Sequence, residues 1–506
     1  MPSLTERYAS QIAGVLSCWD RIVITGMLPD IGYAQAMAAF LRARGIRLFD
    51  FPRWAEPLRE EIRENAERLA AENGLTIEFI RKKDFRKEER VKEILARRGR
   101  HPGLVHIFSA LESCPSYKPW YDKTTGKTGF RGTEAKCLHY YFYFVDEEFG
   151  LCYLRVPTWA PFRLQFYCNG HQYLAAQLSR RGLGYTLVDN AFLEIEDFAK
   201  AQKLADDFRV SRLHRRLKRW AALYCPVLRH FAAGYHFSLM QIEYATDLIF
   251  KREADLTPLY EAWSRTAIHT VKPEQVATFL GRKLHPLYQG EVGNDFNTRK
   301  EGTRIKHRMG SASIKMYNKL GRVLRIETTA NDVTFFKHHR RVEHADGSWE
   351  MKVAPAKKSI YSLPDLRVLL GDANRRYLAF LSVLDDPTAA IRELDRIGQP
   401  TRDGQRSYRG FNLFSAEDLR LFEALSRGEF NLSGFMNRHL QTLLPKHTSH
   451  QISRLLARLH QHGLIKKIGN TYKYYLTCLG KKAILTALKL QRLFVIPSMQ
   501  EAFGVV

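Results

Sequence analysis

Polar residues that could do chemistry alternate with apolar ones on both sides of a short turn, Leu320-Gly321-Arg322. Ile314 and Met316 precede the turn, and Leu324 and Ile326 follow it at the same spacing. A period of two places alternate side chains on opposite faces of paired strands, so the segment predicts a β-hairpin with one polar face. That face would contain Lys315, Tyr317, Lys319, Arg325 and Glu327.

Two kinds of chemistry fit such a face. The phenol of Tyr317 has an ordinary pKa near 10, so it becomes a nucleophile only when cations and a metal stabilise its phenolate. Glu327 would then help to hold the metal, and a metal-activated water is the other candidate nucleophile. In the alternative, Tyr317 stacks on a base or sugar, Glu327 orients Arg325, and the cations of the face bind phosphates.

Further carboxylates precede the hairpin. Glu243 and Asp247 share a face of Gln241 to Phe250 whether this segment is a strand or a helix, because positions four apart coincide in both. Glu291 and Asp295 follow later in the chain. Divalent-metal phosphodiester chemistry requires carboxylates that converge from separate segments. We therefore expect Glu243 and Asp247 to act with the hairpin, Glu291 and Asp295 to be metal ligands, and the metal to be Mg²⁺ or Mn²⁺.

The Tyr317-Asn318-Lys319 triplet followed by Glu327 resembles the tyrosine motif of rolling-circle replication initiators of plasmids and phages. In that family a tyrosine attacks a phosphodiester, a nearby lysine or arginine steadies the charge, and carboxylates hold a metal. The resemblance implies DNA-nicking or nuclease activity with Tyr317 as the nucleophile. This sequence departs from the family pattern because it has no paired His-hydrophobe-His metal motif.

The composition favours a nucleic-acid partner. Lys and Arg number 79 against 53 Asp and Glu, and the formal net charge is +26. Hydrophobic residues make up 45% of the 506 residues, which excludes a basic disordered tail. A positive surface on folded segments attracts phosphate backbone first and anionic membrane second. No apolar run approaches the roughly 18 residues of a membrane span, so we expect no membrane partner.

Cysteine usage and the first residues indicate a cytoplasmic protein. The seven cysteines are odd in number and contain no CxxC pair, which argues against a zinc ribbon and against a disulfide framework. The opening MPSLTERYASQ has no basic segment followed by an apolar one, as a signal peptide would.

Clusters of cations extend the predicted nucleic-acid surface. The strand before the hairpin places three of them on one face, with His307 on the other. The segment from Phe208 to Trp220 predicts a basic helix whose apolar residues would dock it on the body, although a solvated basic helix fits the same pattern. The cations that we expect to contact nucleic acid in these two segments are Arg304, Lys306, Arg308, Arg212, Arg215, Arg216 and Arg219.

Short apolar runs alternate with amphipathic stretches up to about residue 110, which predicts an α/β layer with a small, mostly parallel sheet. The predicted strands are 21–25, 46–49, 76–80 and 104–108, and the predicted helices are 33–44, 54–73 and 85–98. Residues 112–136 read as a basic loop interleaved with aromatics, and residues 138–167 as an antiparallel meander.

The C-terminal segment predicts three helices and a β-hairpin. Ser415 and Asp418 have capping-box spacing, a helix begins near Ser449, and two short strands flank Gly469-Asn470. This order resembles the MarR-like winged-helix proteins over about 80 residues. The resemblance implies that the third helix enters a DNA major groove while the wing touches the backbone, although winged helices also dock proteins or RNA. The residues that it assigns are Gln451, Arg454 and Arg458 for base reading and Lys466, Lys467 and Lys473 for the wing.

Together these patterns predict an α+β multidomain protein with an N-terminal α/β layer, a central antiparallel-sheet domain and a C-terminal winged helix-turn-helix. The expected boundaries are 1–195, 196–362, 363–412 as helix and linker, and 413–506. The chain also resembles long bacterial proteins of mobile-element type that combine such a hairpin with a MarR-like tail. We expect a nucleic-acid-binding protein of a mobile element or plasmid, replication-initiator-like or a metal-dependent nuclease, on DNA or structured RNA. A non-enzymatic transcriptional regulator or ribonucleoprotein scaffold is the alternative, and homo-oligomerisation stays open in either case.

Overall fold

A computed structural model of the protein describes residues 3–82, 84–124, 126–284, 288–299, 302–385, 388–469 and 471–502. The chain forms two compact units, Met1–Asp385 (unit 1) and Asp386–Val506 (unit 2). The boundaries expected at 195 and 362 therefore fall inside unit 1, and the one expected at 412 falls inside unit 2.

Strands of unit 1 are long and most of them belong to one sheet. In chain order they are β1 (Ile12–Met27), β2 (Ile77–Phe79), β3 (Gly103–Tyr121), β4 (Thr128–Asp146), β5 (Gly150–Pro157), β6 (Leu164–Cys168), β7 (Tyr185–Val188), β8 (Ala191–Ile195), β9 (His236–Phe250), β10 (Val292–Arg299), β11 (Gly302–Met309), β12 (Ala312–Lys319), β13 (Val323–Ala330), β14 (Lys337–Glu343) and β15 (Trp349–Pro355).

Helices of unit 1 lie mostly between the strands and after the last of them. They are α1 (Leu4–Arg7), α2 (Ala34–Arg42), α3 (Phe51–Glu72), α4 (Lys87–Arg98), α5 (Gly170–Ser179), α6 (Phe198–Asp206), α7 (Val210–Tyr224), α8 (Glu253–Thr270), α9 (Pro273–Phe279) and α10 (Leu363–Asp385). The predicted helices at 33–44, 54–73 and 85–98 are confirmed as α2, α3 and α4. No helix among the described residues is long and apolar enough to cross a membrane.

Eleven strands form one mixed sheet in the order β10-β11-β12-β13-β9-β1-β6-β5-β4-β3-β2. Among the described strands of this sheet only the pair β2 and β3 is parallel, so the predicted mostly parallel N-terminal sheet is wrong. The first predicted strand extends into β1, which pairs antiparallel with β6 and β9. The expected strand at 46–49 is instead the start of a 3₁₀ turn, Leu48–Asp50. The N-terminal layer and the central domain are thus halves of the same sheet, joined by β1 and β9.

Residues 112–136 are not the expected loop. Their two sides pair as β3 and β4 from Glu112↔Cys137 to Tyr121↔Thr128. The prolines at 115 and 119 misled the prediction, because proline removes a ladder donor. The parallel partner β2 pairs with β3 only at 107–109, so within the described part of the chain the far edge of β3 has no partner strand at Pro115 and Pro119 and tolerates them.

The predicted hairpin is confirmed as β12 and β13. Lys315 lies opposite Glu327 and Tyr317 opposite Arg325 in the ladder. The connecting turn has positive φ at Leu320 (55°) and Gly321 (71°), a left-handed geometry that glycine adopts without strain. The second predicted hairpin, turning near Asp346-Gly347, is confirmed as β14 and β15.

Helices cover both faces of the central strands, so the polar side of the hairpin is buried too. The apolar side of β13 and β9 packs under α10. The other side of β9 and β1 lies under α5 and α6, where Leu16, Cys18 and Ile249 form a small core with Leu174 of α5. Side chains two positions apart in a strand lie on the same face of the sheet. Because Val323 belongs to that small core, Arg325 and Glu327 lie on the same face, which α5 covers.

Unit 2 has its own hydrophobic core and consists of short elements. They are α11 (Thr388–Gly398), β16 (Thr401–Asp403), β17 (Arg406–Tyr408), α12 (Ala416–Leu425), α13 (Gly428–Ser433), α14 (Asn437–Leu443), α15 (Ser449–Gln461), β18 (Ile465–Lys467), β19 (Tyr474–Leu476), α16 (Cys478–Leu490) and α17 (Ile496–Ala502). The expected linker after residue 385 is wrong, because its described part contains α11 and a small hairpin. Ile397 and Phe411 from this segment are buried in the core of unit 2.

The expected capping box at the start of α12 is also absent. Ser415 occupies the N-cap position but accepts no side-chain capping bond. Asp418 is buried instead and binds Arg458, so its carboxylate serves the interior of unit 2. A capping box does occur at α15, where Thr448 and Gln451 bond to each other's backbone.

Candidate metal centre and its charged surroundings

Three buried carboxylates meet at the middle of the sheet. Asp20, Glu243 and Glu327 can each offer one oxygen such that all three oxygens lie within 4.8 Å of one another. They come from the adjacent strands β1, β9 and β13, where Glu243 pairs with Arg21 and Glu327 with Ala245. We call these three residues the acid triad. Carboxylate oxygens from separate strands are the ligand set that Mg²⁺ and Mn²⁺ prefer.

Lys315 occupies the space between two members of the triad. Its Nζ lies 3.0 Å from Glu243 Oε1 and 2.5 Å from Glu327 Oε1. Burial opposes its charge, but Glu327 and Glu243 outweigh that effect and raise the pKa of Lys315. The lysine is therefore a built-in cation, and a metal ion bound by both glutamates would have to displace its ammonium group.

The surroundings of Glu327 disfavour its charged form. Its carboxylate is fully buried, and burial first, with the nearby charges of Glu243 and Asp20, raises its pKa despite Lys315. Tyr317 donates a hydrogen bond from its hydroxyl to Glu327 Oε2 at 2.7 Å. Three like charges at this separation are stable together only with cations beside them.

Tyr317 itself lies in the interior. Burial, followed by the charge of Glu327, raises the pKa of its phenol well above the ordinary value. A phenol held neutral in this way is a poorer nucleophile than a free one. In this arrangement Tyr317 positions Glu327.

Asp247 and Arg325 form a second cluster beside the triad. The Arg325 guanidinium is completely buried and binds Asp247 through two bonds, Nε to Oδ1 at 2.7 Å and Nη2 to Oδ2 at 2.6 Å. Its Nη1 donates to Asp20 Oδ1 at 3.2 Å, and Nη2 also donates to the Asn190 carbonyl at 2.6 Å. Burial disfavours the Asp247 carboxylate, but Arg325 dominates and lowers its pKa. Arg325 therefore joins Asp247 to the triad and does not present a surface for phosphate.

His171 completes this cluster from α5. Its Nδ1 lies 3.1 Å from Asp20 Oδ1, and its Nε2 accepts from Arg325 Nη2 at 2.9 Å. Asn169 caps the helix by accepting the backbone N–H groups of residues 171 and 172. A Cβ at Gly170 would lie 2.2 Å from the Trp19 carbonyl oxygen, so only glycine lets the helix start this close to β1.

The other two predicted acids do not reach the triad. Asp295 lies 3.4 Å from the Nε of Arg308, and Glu291 lies 3.9 Å from its Nη1. The Glu291 side chain is 86% exposed and that of Asp295 is 42% exposed, and both acids lie near the start of β10 at the edge of the sheet. Of the five acids predicted to converge, Glu243 and Glu327 meet in the triad, with Asp247 beside them.

Predicted cations of unit 1 divide into paired and exposed groups. Arg212 lies 3.0 Å from Glu148 and Arg216 lies 3.4 Å from Asp146, which ties α7 to the β4–β5 turn. Arg215 and Arg219 of the same helix are exposed. On β11 the exposed cation is Arg308, whereas Arg304 and Lys306 are half-buried.

Unit 2 exposes most of its predicted contacts, with one exception. Gln451, Arg454, Lys466 and Lys467 are exposed and Lys473 is half-buried. Arg458 was expected on the outer face of α15, but it is buried and its guanidinium binds Asp418 at 2.7 and 3.0 Å. It also donates to the carbonyl groups of residues 409 and 410. Base reading by Arg458 would require it to leave these partners.

Two residues of the site were not predicted. Asp20 is the one acid of β1, and a carboxylate within a mostly apolar strand was the signal for it. His171 follows Asn169-Gly170, a helix start that could have been recognised, although nothing local ties it to the hairpin.

Searches of protein-family models, of curated proteins and of solved structures find no match to this chain.

A cavity of about 500 Å³ lies beside these clusters. Its lining includes Arg21, Asn190 and Lys319, which also surround Asp20 or the triad. Asn190 Nδ2 donates to Asp20 Oδ1 at 2.5 Å, and Arg21 Nε lies 3.5 Å from Glu243 Oε2. The acid triad is thus close to a solvent-filled space with cationic side chains on its wall.

Proposed function

We propose that unit 1 is a divalent-metal-dependent phosphodiesterase that acts on nucleic acid, and that unit 2 is a winged-helix module that docks it on DNA or RNA. The acid triad beside a cationic cavity is the observation that supports this function. The mobile-element setting expected from the resemblances remains part of the proposal.

In this proposal Asp20, Glu243 and Glu327 hold the ion. A bound Mg²⁺ or Mn²⁺ would lower the pKa of a water and polarise a phosphoryl oxygen. Lys315, released from the two glutamates, would remain close enough to neutralise the phosphate. Arg325 and Asp247 would fix the position of Asp20, and Tyr317 would fix that of Glu327.

The docking role of unit 2 is supported by its exposed polar residues. Gln451 and Arg454 lie on α15, the third long helix of the unit, and Lys466 and Lys467 lie on the following strand. A helix with exposed Arg and Gln is suited to base edges in a major groove, and strand lysines are suited to phosphates. Arg458 is excluded from this set because it is buried.

A second candidate function is non-enzymatic nucleic-acid binding. It is favoured by Lys315 and Arg21, which already neutralise the glutamates of the triad without any metal. In that case the triad would be a structural ion network, and the exposed cations alone would contact an operator or a structured RNA.

The test is cleavage of end-labelled single- and double-stranded DNA and RNA by the full chain, with Mg²⁺, with Mn²⁺ and with EDTA. We expect metal-dependent products that disappear in Asp20→Asn and Glu327→Gln but persist in Glu291→Gln, the exposed matched control. Tyr317→Phe should retain a substantial part of the activity. Equal cleavage by wild type and by both triad variants would overturn the enzyme proposal and leave the binding function.

A further inference from the structure

Three tyrosines form a continuous row on the wall of the cavity described above. Tyr143, Tyr153 and Tyr167 lie on β4, β5 and β6, and each is directly opposite the next in the ladder. Their ring centroids are 5.2 and 5.1 Å apart, and the rings of Tyr153 and Tyr167 are nearly parallel. Arg21 lies over the ring of Tyr167 at 5.6 Å. We call this row the tyrosine ladder.

The remaining walls combine apolar and cationic side chains. Val91 and Leu95 of α4 face the cavity, and Lys319 at the end of β12 lies among its lining residues. Four cations line it, Arg21, Lys92, Arg100 and Lys319, against two carboxylates, Glu88 and Asp189. A volume of about 500 Å³ lies in the range of small-molecule sites. The cavity therefore has room for one organic anion of moderate size.

Two polar groups of this cavity lack partners within the described part of the chain. The ammonium group of Lys319, whose side chain is half-buried, makes no hydrogen bond or ion pair there, and burial, then the charge of Arg325, lowers its pKa to about 8. Tyr143 is only 3% exposed, yet its hydroxyl has no hydrogen-bond partner among the described residues. Buried polar groups are almost always bonded, so the Tyr143 hydroxyl points to a ligand that the cavity takes up. The ammonium of Lys319, which lines the same cavity, is available to pair with an anion.

We propose that this cavity binds a single nucleotide, with its phosphate at Lys319 and Arg21 and its base between α4 and the tyrosine ladder. A phosphate suits an unpaired ammonium and a guanidinium, and a base suits apolar and aromatic walls with one free hydroxyl. The proposal rests on the proposed function, because Arg21 also touches Glu243. A nucleotide held here would bring its phosphate next to the acid triad.

Isothermal titration calorimetry in EDTA measures the binding of deoxynucleoside 5′-monophosphates to the full chain. It tests the cavity without catalysis. We expect saturable binding of dAMP and dTMP that weakens at least tenfold in Lys319→Met and several-fold in Tyr143→Phe. Lys319→Arg, which keeps the charge, should retain binding better than Lys319→Met. Lys337→Met removes an exposed lysine of β14 and should bind as wild type does.

Each outcome separates the two proposals. Glu327→Gln should abolish cleavage while leaving nucleotide binding within about twofold. Binding without any cleavage by wild type would support the cavity and overturn the enzyme. Cleavage without nucleotide binding, or equal affinity for inorganic phosphate and dAMP, would overturn the nucleotide site. Unchanged thermal melting of Lys319→Met confirms that lost binding is not lost folding.

Discussion

The charged residues of unit 1 and unit 2 differ in what surrounds them. In the sheet of unit 1, Arg325 and Lys315 lie in the interior, bonded to acids from neighbouring strands. In unit 2, Arg454 and Lys466 face solvent. Both sets were predicted to contact nucleic acid. Alternation identifies which side chains share a face, but the element that covers that face decides whether they meet water.

Arg458 and Asp418 show that unit 2 also contains one buried pair of this kind. Like Arg325 and Asp247, they are buried and joined by two guanidinium bonds. Both units therefore contain buried and exposed charged residues, and they differ in the number of each. Removing one member of a buried pair leaves the other charge buried without compensation. Removing an exposed charge leaves no uncompensated charge in the interior.

The largest effect is expected for Asp247→Asn. Loss of the carboxylate would leave Arg325 buried beside Asp20 and His171, and we expect the free energy of unfolding to fall by about 3–5 kcal/mol. Urea titration followed by far-UV circular dichroism measures this. Asp295→Asn, an exposed acid paired with Arg308, should change stability by less than about 1 kcal/mol. Equal stability of the two variants would contradict the distinction between buried and exposed pairs.

Arg458→Met comes next. It leaves Asp418 buried without its guanidinium and also removes two bonds to backbone carbonyls, so we expect a loss of about 3 kcal/mol. The affected transition should be that of unit 2, and Arg454→Met on the same helix is the matched control. A stable Arg458→Met variant with weaker DNA binding would instead restore the base-reading role that the sequence suggested.

Acid should destabilise unit 1 through His307. Burial lowers its pKa to about 4, while its Nδ1 and Nε2 lie 2.6 Å from Asn294 Oδ1 and 2.9 Å from the Tyr377 hydroxyl. The unfolded chain then binds more protons between about pH 6.5 and pH 4, so stability rises with pH across that window and is lost on acidification. We expect this loss to be roughly 3 kcal/mol. His307→Gln should flatten the pH dependence in urea titrations, and His101→Gln, at an exposed position, should not.

Metal should stabilise unit 1 through the triad. At a Mn²⁺ concentration ten times the dissociation constant, we expect a gain of about 1.4 kcal/mol, seen as a rise in melting temperature. Glu327→Gln should abolish the gain and Glu291→Gln should preserve it. Lys315→Met should increase metal affinity, because the built-in cation no longer competes. A metal response that survives Glu327→Gln would place the ion elsewhere.

The smallest effect on stability is expected for the exposed cations of unit 2. Arg454→Ala and Lys466→Ala should alter unfolding by less than about 0.5 kcal/mol. Both should weaken binding to DNA or RNA, and loss of the phosphate contact of Lys466 should reduce the slope of log K against log salt by about 0.9 on duplex DNA. Fluorescence anisotropy at several salt concentrations measures this, with exposed Arg420→Ala as a control on α12.

Local patterns predicted the hairpin and placed Tyr317, Lys315 and Glu327 on the same face of it, but they assigned Arg325 as the partner of Glu327, whereas Lys315 and Tyr317 bind it. They also placed Glu243 on a shared face with Asp247. They could not reveal Asp20 as a partner, because that requires β1 to lie beside β9, a long-range pairing with no local signal. Nor could they separate Arg458 from Arg454, since the burial of α15 depends on where α12 packs. The loop predicted at residues 112–136 was wrong for the same reason. Whether the prolines of β3 lie at a free edge depends on the whole sheet.

The position of β1 at the centre of the sheet also constrains how the protein folds. Arg325 and Asp20 are 305 residues apart in the chain, yet they are bonded. Contacts between such distant segments raise the contact order and slow folding, because a long loop must close before they form. During synthesis the acids of β1 and β9 have no access to Arg325 and Lys315 until β12 and β13 leave the ribosome. Any truncation before β12 would leave those acids facing each other without their cations.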